Sequence, residues 1–445
     1  MPQVMLSPAV VRAAVALVVM PAALLAQSGD TLAARPIPLR EAVALAEQNG
    51  LAAIQARGQT RAAASGVRAA KGALLPSATI SLGQVNQSGE RLDAQGRLVP
   101  YLATQPWTYS TGLNSSVNLF DGGRRWNEVK RTRYDVGAAE ANEVTQKYSL
   151  ALQVKTQYYA ILAAREAEAA AQAQLQQGQE QLKTSIVRTR AGVATLSDSL
   201  RSVIAVGNGQ LALITARNNV RVASAALTRL VGSESLVTAQ PSDTLDRGLA
   251  PVDSAALASV LGEAPAIRQS EAQLASAQAT VKSAKTPYLP SVDLSYSRSG
   301  NGFSNTYGVT GNPLAYTNNF NIRLSYTLFN NFQREDALTR AEVTADVVQA
   351  QVRDAKLAAQ QTLVQQLAAL RSAQQRIVIQ QATLDASRED LRVQQQRYAL
   401  GASTLLDVLT SQSTLDAARS ALIQARQDVR VARAQLEALV GRDLP

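Results

Sequence analysis

The chain has 445 residues, 46% of them apolar but only 4% aromatic, so alanine, valine and leucine carry the apolar content. His and Cys are both absent, which excludes disulfides, thiol nucleophiles, Ser-His and Cys-His pairs, zinc fingers and a cysteine-borne lipid anchor. The net charge of +10, from 44 Lys+Arg against 34 Asp+Glu, fits nucleic acid, a membrane surface or simple solubility, and does not choose among them.

Ala13 to Leu25 is an apolar run behind a single positive residue, Arg12. It is too short to span a bilayer as a helix and fits the hydrophobic region of a secretory signal, so residues 1–26 are expected to be a signal peptide. No later window is long and uncharged enough for a transmembrane helix.

The remainder reads as one unit written twice. Leu119-Phe120 recurs as Leu328-Phe329, Gly192, Thr195 and Asp198 as Gly401, Thr404 and Asp407, and Leu230-Val231-Gly232 as Leu439-Val440-Gly441. All these pairs are 209 residues apart. Leu75-Pro76-Ser77 matches Leu289-Pro290-Ser291 at an offset of 214, so the first copy holds five extra residues between Ser77 and Leu119. Repeat 1 is placed at 27–235 and repeat 2 at 236–445.

In repeat 1 an Ala-rich helical stretch over 38–73 precedes strands over about 78–87 and 108–120, with 88–107 as the loop between them. Repeat 2 has a helical stretch over 252–285, strands over about 291–299 and 320–329, and a Gly/Asn-rich loop at 300–319. Phe320, Ile322, Leu324, Tyr326 and Leu328 alternate with Asn321, Arg323, Ser325 and Thr327, the period of a strand. Fourteen of the 19 aromatics fall in 78–126 and 287–332, so aromatics belong to the strand windows.

Each strand pair leads into a helix free of Pro, over about 124–190 and 333–399. Each would be a rod of roughly 100 Å at about 1.5 Å per residue. Leu363, Leu370, Ile377, Leu384, Leu391 and Tyr398 keep strict heptad spacing, and Val154, Ile161, Leu175 and Leu182 occupy matching places. Such a stripe predicts supercoiled packing into a thin wall. Tight turns then lead to return helices over about 195–231 and 404–440, with Gly232 and Gly441 as stops. The fold class is therefore mostly α with a small β part, as two repeats of helix–strand–strand–long helix–helix.

Four strands do not close a barrel, whereas three chains would supply twelve, enough to close around a lumen. The strand lengths suit an outer-membrane bilayer, and Trp107, Tyr109, Phe120, Tyr288, Phe320 and Phe329 suit interfacial girdles. A soluble sheet capped by the same aromatics is the plainer reading.

These features resemble the TolC-like outer-membrane efflux proteins. The resemblance is carried by Pro38-Leu-Arg-Glu-Ala-Val-Ala-Leu-Ala-Glu-Gln-Asn49, by the Leu-Pro-Ser before each strand pair and by Leu119-Phe-Asp-Gly-Gly-Arg124. It is carried also by Tyr-x-x-Gly-x-x-Thr-x-x-Asp from Tyr398 to Asp407, and it covers nearly all of 37–441. It implies a homotrimer with one 12-stranded outer-membrane β-barrel continued by a coiled-coil α-helical barrel. It also implies a passive exit duct for efflux or type I secretion, docked to a periplasmic adaptor and an inner-membrane pump of RND, ABC or MFS type.

The resemblance places a periplasmic gate at Tyr398, Gly401, Thr404 and Asp407, with Gly192, Thr195 and Asp198 as the repeat 1 counterparts. Asp407 in triplicate would form an acidic, cation-selective ring. Thr404-x-x-Asp407 and Thr195-x-x-Asp198 also read as capping boxes, and the two roles are compatible. The family often carries a second acid where this chain has Thr410 and an arginine where it has Ser403, so its latch is either weaker here or built from other residues.

Asp121-Gly122-Gly123 at the strand-to-helix junction lacks the Lys-Ser/Thr of a phosphate loop and reads as a bend. Arg124-Arg125, Lys130-Arg131 and Arg133 read as a solvated face near the headgroups. Tyr158 and Tyr159 read as packing between helices. No catalytic, cofactor or metal site is expected, and dispersed basic residues without interleaved aromatics argue against nucleic acid. A periplasmic coiled-coil scaffold without a channel is the competing reading, and the repeated strand pair weighs against it.

Overall fold

The computed structural model describes residues 34–86, 89–100, 107–245, 254–304 and 314–444, so the expected signal peptide lies outside the described residues. The first half of the chain contains β1 (Arg35–Ile37), α1 (Leu39–Asn49), α2 (Leu51–Gly72), β2 (Ser77–Asn86), β3 (Glu90–Leu92), β4 (Leu98–Pro100), β5 (Trp107–Phe120), α3 (Arg124–Arg190) and α4 (Leu196–Val231). Then follow β6 (Val237–Ala239), α5 (Ser254–Val260), α6 (Pro265–Ala284), β7 (Ser291–Ser304), β8 (Ala315–Ser325), α7 (Gln333–Ala399) and α8 (Leu405–Val440). The molecule is mostly helical, and no helix among the described residues is long and apolar enough to cross a membrane.

α3 and α7 have 67 residues each, α4 and α8 have 36 each. The heptad residues form the seams. Leu384, Leu391 and Tyr398 cluster with Leu405, Val408 and Leu415, while Leu363 and Leu370 cluster with Val429 and Leu436. In the first hairpin Val154 and Ile161 cluster with Leu227, and Leu175 with Leu213. Away from these seams α4 leaves Leu200, Ile204, Leu211 and Ile214 exposed, and α7 leaves Val343, Val347, Val364 and Val378 exposed. Burial of one narrow stripe per rod gives a wall, not a globular core.

The helical stretch at 38–73 is broken at Gly50, which is extended (φ −63°, ψ 136°) and lets α1 turn into α2 against α3. A Cβ there would lie 2.4 Å from the Ala46 carbonyl oxygen. In the second half Pro265 opens α6, a place where its missing N–H costs nothing. β1 pairs in parallel with β6, Arg35 opposite Val237 and Ile37 opposite Ala239. Tyr158 of α3 is buried beneath this pair and holds it. Its hydroxyl is bonded to the Ile37 carbonyl (3.1 Å) and the Asp243 carboxylate, and accepts from the Gln240 N–H (3.1 Å).

β2, β5, β7 and β8 form one antiparallel sheet in that order, leaving β2 and β8 as edges. Two expected strand bounds are corrected. The third strand continues to Ser304 and the fourth spans Ala315–Ser325, so much of the expected loop at 300–319 is strand. β7 is central, and pairing with β5 up to Trp107–Ser304 keeps its Gly/Asn-rich end extended. β8 stops at Ser325 because its partner begins at Ser291, directly after Pro290, which has no N–H to offer. The loop expected at 88–107 contains a hairpin of β3 and β4.

Candidate functional site

The register sorts the sheet into two chemically different faces. Ile80, Leu82, Leu113, Val117, Leu294, Tyr296, Phe320, Ile322 and Leu324 alternate onto one. The other is Ser77, Thr79, Ser81, Ser110, Asn114, Asn118, Ser295, Ser297, Thr317, Asn319 and Asn321 with few apolar interruptions. Most of the apolar face is not covered by the rest of the chain, with Leu82 79% and Leu324 71% exposed, whereas at the far end of the sheet Tyr109 and Gly302 on the same face are buried. On the polar face Asp293 and Arg323 are register partners, and Asn118 Nδ2 donates to Asp293 Oδ1 at 2.7 Å.

The expected girdle aromatics do not all sit at strand ends. Phe120 and Phe329 are exposed at the helix-proximal end, and Phe329 meets Phe332 edge-on at 5.4 Å. Tyr288 lies there too, under the Arg334 guanidinium at 4.8 Å. Trp107 is half-buried at the far end. Two placements are corrections: Tyr109 is buried, with Gln84 Nε2 donating to its hydroxyl at 3.4 Å, and Phe320 is mid-strand opposite Tyr296. The earlier start of β8 moves Phe320 inward.

At the junction Gly122 (φ 68°) and Gly123 (φ 86°) turn the chain from β5 into α3. Asp121 accepts from the Arg125 backbone N–H (3.2 Å) and Nε (3.0 Å), and both side chains are largely buried. Arg125 also donates through Nη1 to the Ala73 carbonyl (3.0 Å) and through Nη2 to the Asn118 carbonyl. Arg125 therefore clamps the end of α2, the end of β5 and the start of α3. This corrects the solvated-face reading for that residue: its side chain donates to acceptors on three residues, Asp121, Ala73 and Asn118, where a solvated charge run would donate to water. Arg131 is likewise committed, to Glu128 (2.6 Å) and Asp135 (2.8 Å). In the second half Asn331 (φ 56°) and Phe332 (φ 61°) make the same left-handed bend without glycine.

At the opposite end of the rods Gly192 (φ 75°) and Gly401 (φ 76°) make the tip turns. Both return helices begin with capping boxes. Asp198 N–H donates to Thr195 Oγ1 at 3.2 Å, and Thr195 N–H to Asp198 Oδ2 at 3.1 Å. The Thr404–Asp407 pair repeats this at 3.3 and 2.8 Å. The Thr404 backbone N–H, and then its hydroxyl, hold the exposed Asp407 carboxyl below the usual carboxylate range. Tyr398 is buried nearby, its hydroxyl without a hydrogen-bond partner among the described residues. Arg188, from the end of α3, reaches across to it. Its guanidinium lies 4.7 Å from the Tyr398 ring centre, and Nη1 donates to the carbonyls of Tyr398 (3.2 Å) and Ala399 (3.4 Å). Arg188 was not legible as a site residue; nothing in its own spacing marks it.

The two tips are held differently. Thr189 and Ser199 occupy the places that Tyr398 and Val408 take in the second half. In the first, Thr189 bonds Ser199 at 2.8 Å and Ser185 bonds Ser202 at 2.9 Å, both through hydroxyls. In the second, Tyr398 and Val408 belong to an apolar cluster with Leu391 and Leu405.

Residues 42–233 and 256–442 match the family described as Outer membrane efflux protein. Among curated relatives, the outer membrane efflux protein BepC of Brucella suis biovar 1 is 28% identical over 347 residues, covering 75% of this chain and 72% of its own. The pyoverdine export outer membrane protein OpmQ of Pseudomonas aeruginosa is 28% identical over 344 residues, covering 75% and 69%. Among solved structures, the CmeC outer membrane channel of Campylobacter jejuni superposes with a TM-score of 0.75 at 17% identity, covering 91% of this chain and 85% of that one.

Proposed function

Because the chain belongs to the outer membrane efflux protein family, we propose that three copies join their sheets edge to edge into a 12-stranded barrel, with the rods continuing it as a helical duct. The protein resides in the cell outer membrane with a periplasmic part, and works as the exit channel of an efflux system. The observation that carries the assembly is the two-faced sheet with its free edges. An apolar face left bare by its own chain fits lipid, and a Ser/Thr/Asn face fits a water-filled lumen. The exposed apolar residues of α4 and α7 fit rod-to-rod contact between copies. Substrate would pass without chemistry from an inner-membrane pump and its periplasmic adaptor, the adaptor docking at the tips. A periplasmic scaffold would leave the two-faced sheet without a use.

The gate in this reading is the tip. Asp407 projects a carboxylate from each copy, and Arg188 fastens the end of α3 onto Tyr398, supplying the arginine that Ser403 does not. Single-channel recording in planar bilayers tests it. Asp407→Asn is expected to weaken block by a multivalent cation while trimers persist, and Arg188→Ala to raise the open probability. Wild-type conductance and block in both variants would remove the gate from this position, leaving Asp407 as a helix cap only.

A further inference from the structure

Charged side chains are scarce in the sheet. The four long strands hold only Asp293, Arg298 and Arg323. Asp293 and Arg323 are register partners on the polar face. Arg298 stands alone on the apolar face, exposed, and no carboxylate pairs with it among the described residues. An arginine on the lipid face of a barrel is costly at mid-membrane and nearly free at the interface. Its height decides which applies. β8 ends at Ser325. At about 3.4 Å per residue and a strand tilt near 40°, the strand from Ser325 up to Asn318, the register partner of Arg298, rises about 18 Å of an apolar membrane band about 25 Å tall. Arg298 therefore lies in the outer part of that band, away from the rods, where its long stem can snorkel the guanidinium to the headgroup edge.

The surroundings of Arg298 are built, not incidental. Its guanidinium lies 4.5 Å from the ring centre of Tyr316. That ring lies over Gly300, where a Cβ would come within 2.7 Å of it, so the glycine makes the space that lets Tyr316 lie against the sheet beside the arginine. Tyr296 hydroxyl donates to Asn318 Oδ1 at 3.3 Å, a bond that uses the amide oxygen and none of the amide N–H donors of Asn318, the register partner of Arg298. A planar cation held against an aromatic face presents a fixed fork of donors, the geometry suited to phosphate oxygens.

We propose that Arg298, Tyr316 and Asn318 form a site for the phosphate of an anionic lipid in the outer leaflet, one on each copy, with Gly300 as its positioning residue. The inference rests on the barrel reading above, since it needs the apolar face to meet lipid. Acyl chains below the phosphate would lie along Phe320, Ile322 and Leu324, which a free phosphate would not need.

The test uses the full-length protein reconstituted in nanodiscs containing phosphorylated lipid A in phosphatidylcholine, or phosphatidylcholine alone, reading Tm and the anionic lipid retained after detergent washing. Wild type is expected to retain lipid A and to melt higher in its presence. Arg298→Ala is expected to retain about fivefold less, the loss expected for one basic side chain at an anionic surface, while Arg298→Lys keeps part of it. Gly300→Val, which displaces Tyr316, should lose retention with the arginine still present. Removing an exposed charge from a rod, Arg371→Ala, should change nothing. Equal retention in Arg298→Ala and wild type overturns the site, as does equal protection of the phosphatidylcholine sample by inorganic phosphate, which would make it a free-anion site. If Arg298→Ala does not assemble, Arg298→Gln and Tyr316→Leu carry the same comparison. Wild type that fails to enter a bilayer would instead overturn the barrel reading.

Discussion

Gly122 and Gly123 are adjacent and both left-handed, yet they answer to different constraints. A Cβ on Gly122 would meet the Thr286 carbonyl oxygen at 2.6 Å and Leu289 Cβ at 2.9 Å, whereas one on Gly123 meets nothing within 4 Å. Gly123→Ala should cost only the left-handed strain, about 1 kcal/mol, and Gly122→Ala should cost more, read as Tm of the purified protein. Equal losses would mean that contact with the 286–289 segment does not matter. Asp416 gives a second residue-scale prediction. Burial raises its carboxyl above the usual value, and Arg419 at 3.2 Å offsets this only in part. A raised folded pKa favours the neutral form, so its stabilising contribution is full below the unfolded value, near 3.8, and is lost as pH rises through the folded value. Near neutral pH the ionised Asp416 is thus a burden on the fold. Asp416→Asn should raise Tm at neutral pH, with the gain vanishing below about pH 4, and a gain that persists into acid would assign it to packing. At this scale the sequence marks what has a local signature. The Gly pair and both capping boxes do. Arg125 does not separate itself from its charged neighbours, because its carbonyl partners Ala73 and Asn118 are fixed only by the fold.

Among the elements, the two tip hairpins share a backbone plan and differ in what holds them. Hydroxyl pairs at Ser185–Ser202 and Thr189–Ser199 are exchanged for water at little cost when the hairpin opens. The cluster of Leu391, Tyr398, Leu405 and Val408 loses apolar burial on opening. Amide hydrogen exchange should therefore be faster over 185–202 than over 394–411, and equal rates would show that the turns, not the seams, set local stability. Ser199→Val, which installs the second hairpin's residue in the first, should slow exchange there. The rods were legible because heptad spacing and the absence of Pro persist over many turns. β1 and β6 were not, since three residues carry no period and their pairing joins chain segments about 200 residues apart. The ends of β7 and β8 differ from the local reading because Gly and Asn mark loops locally, while β7, bonded on both sides, overrides that preference and holds the edge strand β8 extended against it.

For the whole molecule, the composition and the assembly have one explanation. Few aromatics, concentrated in the strand windows, and Ala-rich rods with one buried stripe are what the proposed assembly requires of each chain. The sequence carried this through its repeat and through the alternation in residues 320–328, but it could not say which strands pair or which residues share a face; that requires the register. The register makes the assignment testable with two adjacent positions. Ile322 is opposite Leu294 on the apolar face, and Asn321 is opposite Ser295 on the polar face. A lysine facing lipid costs about 2–4 kcal/mol at mid-membrane and less toward the interface, multiplied over the copies in the assembly, so Ile322→Lys should reduce the trimer recovered from outer membranes. Asn321→Lys places the same charge in water, so trimers should persist and ion selectivity should shift toward anions in bilayer recordings. Gel electrophoresis without boiling reads the first effect and reversal potentials the second. Loss of trimer from Asn321→Lys alone would turn the sheet inside out. Equal tolerance of both would mean that neither face meets lipid, and the barrel would fall while the rods and their tips stood unaffected.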